Sequence, residues 1–179
     1  VVLRVFSADA VGGDEIPVAT RVAGMQTRPR IAHVPGVGYA VVWQTPDASQ
    51  GGIAARVFDY TGVALTDEVL VPPDPLWSQV HPEVTVDAEA RRILIAWQGV
   101  DADAQGIFVR AMDYDGVLFD AAGATLPVNT TTEGSQTAPF VAAGAYGVAA
   151  VGWTDASGSF DDDDGLAAVV RLLATYLGD

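Results

Sequence analysis

Apolar residues fall in short runs punctuated by Gly, Pro and Asp, and one run recurs along the chain. Tyr39-Ala-Val-Val-Trp-Gln44 returns as Ile93-Leu-Ile-Ala-Trp-Gln98 and, more loosely, as Val148-Ala-Ala-Val-Gly-Trp-Thr154, so that Trp43, Trp97 and Trp153 lie 54 and then 56 residues apart. That period suits a duplicated supersecondary unit. The run itself is almost continuously apolar, which predicts a central strand buried on both faces.

The rest of the unit follows from what flanks this run. A strand is predicted to begin near Pro29, Pro82 or Pro139, each preceded by Gln26, Gln79 or Gln136, and a Gly- or Asp-containing turn leads from it into the Trp strand. After the Trp comes a loop rich in Asp and Gly, then Gly52-Ile-Ala-Ala-Arg-Val-Phe-Asp-Tyr60 or Gly106-Ile-Phe-Val-Arg-Ala-Met-Asp-Tyr114. In these strands Ile53, Ala55 and Val57 share one face, as do Ile107, Val109 and Ala111, while Arg56 and Arg110 point to the other. Asp59-Tyr-Thr-Gly62 and Asp113-Tyr-Asp-Gly116 predict the turns that end them. A short fourth strand is expected near Glu68 to Val71 and Thr125 to Val128, with Ile16-Pro-Val as its counterpart near the start. Pro in such a strand implies an unpaired edge. Residues 165–177 fall where a third strand belongs, although their Ala and Leu content also suits a helix; register favours the strand.

Four short strands per unit, joined by tight turns, predict an all-β chain of three tandem four-stranded blades like those of a β-propeller. Residues 1–179 are read as one repeat domain, with a partial repeat at 1–25, full repeats at 26–78 and 79–134, and a partial repeat at 135–179. Three blades are one fewer than the smallest usual propeller, and an open arc exposes edges and apolar faces. Completion by a second copy, completion by adjoining repeats, and a closed threefold β-prism are the alternatives.

The same residues carry a resemblance. Gly38-Tyr-Ala-Val-Val-Trp-Gln44 followed by Ala55-Arg-Val-Phe-Asp-Tyr-Thr-Gly62 resembles a family of bacterial repeats found in large secreted adhesins and repeats-in-toxin proteins. The resemblance implies an extracellular or cell-surface location and a binding or structural role. It is specific for the repeat and weak for function, and this chain departs from it at Thr154 and in the enlarged Asp loop that follows.

Charge narrows the chemistry. Acids number 23 against nine bases, all nine of them Arg, and the net charge is −14, which repels nucleic acid and anionic lipid. No apolar run is long enough for a membrane-spanning helix. With no Cys, thiolate metal sites and cysteine nucleophiles are excluded. The carboxylates gather in the loops after each Trp, at Asp47, at Asp101 and Asp103, and at Asp155 with Asp161, Asp162, Asp163 and Asp164. Two readings compete for them: calcium ligands, since calcium takes oxygen donors, and turn residues whose side chains accept nearby backbone amides.

Trp43, Trp97 and Trp153 are read as packing anchors between sheets, with Arg56 and Arg110 pairing with carboxylates of a neighbouring blade or strand. Trp77 has no counterpart in the other repeats and is the candidate ligand contact. His33 and His81 lack metal-binding partners at ligand spacing and are read as satisfied or surface residues. The expected function is a non-catalytic binding or structural module that takes a glycan or protein ligand. The alternatives are a lectin with one site per repeat and a glycan-active hydrolase, the latter on fold analogy alone.

Overall fold

The structure, a computed structural model, describes residues 1–21, 23–46, 51–72, 78–119, 125–160 and 165–175. These contain thirteen β-strands and form an all-β, propeller-like stack of antiparallel sheets. An N-terminal pair, β1 (Val2–Leu3) with β2 (Ile16–Pro17), precedes sheet I, made of β3 (Thr27–Val34), β4 (Gly38–Thr45), β5 (Gly52–Asp59) and β6 (Val69–Leu70). Sheet II consists of β7 (Val80–Asp87), β8 (Arg92–Val100), β9 (Gln105–Met112) and β10 (Leu126–Pro127). Sheet III holds β11 (Gln136–Ala143), β12 (Val148–Asp155) and β13 (Ala167–Ala174), so residues 167–174 are strand, as their place in the repeat implies. Within each sheet the strands pair in chain order, and β3, β7 and β11 stand beside one another across the sheets.

Each of the three repeated Trp residues packs back onto the strands before it. Trp43 joins Val18 and Leu3 of the N-terminal pair, Trp97 enters a cluster with Val42, Ile53 and Ala55 of sheet I, and Trp153 meets Ile107, Val109 and Val128 of sheet II. Their exposures are 0, 1 and 5 %, so all three indoles are buried between sheets. The opposite flank of sheet III is different: Phe140, Val170 and Leu172 are 49, 58 and 70 % exposed, and β13 pairs only with β12 among the described residues.

Carboxylate partners were expected for the repeated Arg, and each guanidinium is found reaching a main-chain carbonyl of the preceding sheet. Arg56 Nη1 donates to Val18 O at 3.1 Å, Arg110 Nη1 to Val71 O, and Arg171 Nη1 to Val128 O at 2.6 Å. Each acceptor lies just past a short edge strand, β2, β6 or β10, and among the described residues no further strand pairs with that edge. The fixed fork of a guanidinium therefore clasps one sheet to the next at three equivalent places.

A second repeated feature is a bulge in every first strand. The register of β3, β7 and β11 slips between Thr27 and Arg30, Val80 and Glu83, and Thr137 and Phe140. Arg28, His81 and Ala138, each immediately before a Pro, have φ of 51°, 55° and 52°. A pre-proline residue normally favours extended backbone, and a left-handed non-Gly residue costs roughly 1–2 kcal/mol. Ala138 carries only a methyl group, so Ala138→Gly tests that strain without removing other contacts. The urea midpoint should rise by an amount equivalent to about 0.5–1 kcal/mol with an unchanged slope, since Gly gives back part of the gain in the unfolded chain.

Candidate functional site

Of the polar residues singled out by the repeat, Asp101 and Asp103 lie in the described loop after one Trp strand and Asp155 at the end of another, where these segments meet the junction between sheets II and III. This junction is a connected network centred on Asn129, which is 5 % exposed. Asn129 Oδ1 accepts from Ile107 N at 2.8 Å, while Nδ2 lies 3.1 Å from Asp101 Oδ2, 2.9 Å from Thr131 O and 3.0 Å from Gln136 Oε1. Gln136 is fully buried and donates from Nε2 to Glu133 O at 3.0 Å, which closes the junction loop. Gln26 makes the same contact to Ala23 O at 3.1 Å, so the Gln before Pro29 and the Gln before Pro139 share a structural role that sequence reading left unassigned.

Asp101 serves both the loop and the network. Its Oδ1 accepts from Asp103 N and Ala104 N, each at 3.1 Å, and its Oδ2 faces the Asn129 amide. Asp103 Oδ2 accepts from Gly134 N at 3.0 Å, tying the post-Trp loop of sheet II to the junction before sheet III. A Cβ added at Gly106 would sit 2.7 Å from Asp101 Oδ2 and 3.1 Å from Asn129 Oδ1. The glycine that ends this loop thus makes room for the Asp101–Asn129 pair.

N–H groups aimed at both Asp101 oxygens place positive partial charge where a cation would bind, so the Asp101–Asp103 pair is arranged as a turn. Among the described residues no group of three or more His, Asp or Glu side chains converges on one point.

Asp155 is buried and caps its own Trp. Oδ2 accepts from Trp153 Nε1 at 3.1 Å and Oδ1 from Ser157 N at 2.9 Å. Burial works against its charge, but donors from Ser157, Trp153 and Gln136 outweigh that cost and hold its pKa below the ordinary carboxylate value. The same balance operates at the other end of the stack. Desolvation of Asp87 is more than offset by the Ala90 amide, the Thr175 hydroxyl, the Glu89 amide and the charge of Arg92, so its pKa is also lowered. Asp47, Trp77 and Asp161 to Asp164 lie outside the described residues.

From β8, Gln98 crosses from sheet II to the bulge of sheet III, where Ala138 N donates to its Oε1 at 3.3 Å, and its Nε2 donates to Gln105 Oε1 at 3.1 Å. Arg30 pairs with Glu83 at 2.7 Å across sheets I and II. Beside them His81 has its pKa lowered, first by burial and then by Arg28 and Arg30, which favours the neutral ring. His33 sits elsewhere, at the far end of β3, with Nε2 3.0 Å from Tyr60 Oη and its ring packed near Tyr39 and Tyr60.

No protein-family model matches the chain, and no curated protein is similar to it in sequence. Among solved structures the chain is similar to an endo-arabinase from Bacteroides thetaiotaomicron, at 12 % identity and a TM-score of 0.47, with 92 % of this chain and 62 % of that one covered. The chain therefore spans less than two thirds of that enzyme's length.

Proposed function

We propose that this chain is a non-catalytic binding and structural module of an extracellular or cell-surface protein, built from propeller-like sheets and completed by a second copy or adjoining repeats. The observation that carries this reading is how the described loop-end carboxylates are used. Asp101 and Asp155 each accept protein donors on both oxygens, and Asp155 is held toward its charged form. A glycosidase needs the reverse in one of its two carboxyl groups, a raised pKa that keeps a proton available for the leaving group. The position two residues after each Trp is Thr45, Gly99 or Asp155, so the repeats do not present one common polar set, and this supports a single module over a lectin with a site per repeat. The exposed face of Phe140, Val170 and Leu172 supports self-association.

Two measurements test the reading. Incubation with arabinan, the polymer implied by the name of the similar enzyme, should release no reducing ends above a buffer control, and sustained release by the purified protein would overturn the non-catalytic assignment. Light scattering should give a molar mass near twice that of one chain, whereas a monomer at high concentration would remove the second copy.

A further inference from the structure

Between sheets II and III lies a cavity of about 140 Å³. Its walls are the apolar faces of Leu94, Val109 and Leu126 on one side and Val141, Ala149 and Leu173 on the other. The space has a specific origin in the repeat. With Trp153 aligned on Trp97 and Arg171 on Arg110, Ala149 stands where sheet II has Ile93, Val151 where it has Ile95, and Thr175 where it has Tyr114. Ile93, Ile95 and Tyr114 are all buried in the cluster between sheets I and II. Three smaller side chains at the equivalent places leave the interface between sheets II and III short of volume, although the strand pairing is the same. Close packing normally removes such space, and its retention in an apolar setting marks a site that a ligand can occupy.

The polar groups on the lining decide which chemistry fits. Arg92 Nη1 donates to Thr175 O at 2.7 Å and its guanidinium lies 4.4 Å from the Phe119 ring centroid. Arg110 Nη1 is held by Val71 O, and the Thr175 hydroxyl donates to Asp87 Oδ2. These contacts tie one nitrogen of each guanidinium and the Thr175 hydroxyl to protein partners, and the wall between them is mostly apolar, so the ligand that fits is a small neutral apolar molecule. An apolar void of about 150 Å³ stays dry and takes up benzene or xenon, which sets the size class. Leu126 both lines the cavity and is 53 % exposed, and this gives such a molecule a way in at the outer strand.

We infer that the interface between sheets II and III is a binding site for a small neutral apolar ligand of about benzene size, separate from the polar loop end. Benzene itself is the probe. At saturation it should raise the melting temperature of the wild-type protein by about 3 °C or more, because binding to the folded state alone stabilises it by mass action. Ala149→Ile, which restores the residue found in sheet II, should fold and lose that response. Val151→Ile, a smaller filling, should lose part of it and serves as the readout if the first variant does not fold. A wild-type melting temperature unmoved by benzene would overturn the inference. So would a full response retained by whichever filled variant folds, since the benzene would then be binding elsewhere.

Discussion

Trp97→Ala is expected to lower the unfolding free energy by about 4 kcal/mol. The indole is 1 % exposed in the cluster that joins sheets I and II, and it stacks on Phe108 with centroids 6.1 Å apart and planes 22° apart. Removing a buried aromatic of this size costs roughly 3–5 kcal/mol because transfer and cavity terms add, and the Phe108 contact contributes on top of buried area. Urea unfolding provides the measurement. If the sheets unfold as one cooperative unit, the midpoint falls while the slope is retained. A stack of duplicated sheets can also come apart in steps, since each contacts only its neighbours. A reduced slope would mean that Trp97 couples sheets that otherwise unfold separately, and a loss below about 1.5 kcal/mol would remove it from its place as the anchor of that interface.

The anchors were legible because each repeats with its environment. An apolar run around Trp43 or Trp97 has one use in a stack of sheets, and the Asp-x-x-Gly turns carry their chemistry in adjacent residues. Asp59 Oδ1 accepts from Thr61 N and Val63 N, and Asp113 Oδ1 from Asp115 N and Val117 N, contacts that local sequence dictates. What sequence could not give was whatever depends on an unnamed main-chain atom or on two repeats at once. Arg56 and Arg110 donate to the carbonyls of Val18 and Val71, and because every residue offers a carbonyl, those contacts carry no mark in the sequence. The bulges at Arg28, His81 and Ala138 were hidden because a following Pro argues for extended backbone and only the sheet overrides it. Asn129 gave no signal of its own, yet it is the residue on which the candidate site turns. Ala149 carries information only when set against Ile93, a comparison that the repeat makes available but that matters once the two are known to face neighbouring sheets.

Asn129 supplies the second large effect, and one whose pH dependence separates a polar network from simple packing. Asn129→Leu leaves the Ile107 amide, the Thr131 carbonyl, the Gln136 amide oxygen and one Asp101 oxygen without this partner. Each orphaned group costs about 1–3 kcal/mol where water cannot replace the lost bond, so a total near 3 kcal/mol is expected. Asn129→Asp keeps the shape and the acceptor for Ile107 but removes the amide donor, and it sets a second carboxylate against Asp101. Two carboxylates at that separation cannot both ionise cheaply, so the introduced carboxyl should have a pKa raised above its unfolded value. The native state of the variant then binds more protons than the unfolded state, and its deficit relative to wild type grows as pH rises and shrinks as pH falls. Urea unfolding of both proteins at pH 7 and at pH 4.5 should show a deficit of about 3 kcal/mol at the higher pH and a smaller one at the lower, because a protonated carboxyl can donate where the amide did. An equal deficit at the two values would mean that Asp101 does not face Asn129 in solution, and the loop end would then be held by its backbone alone.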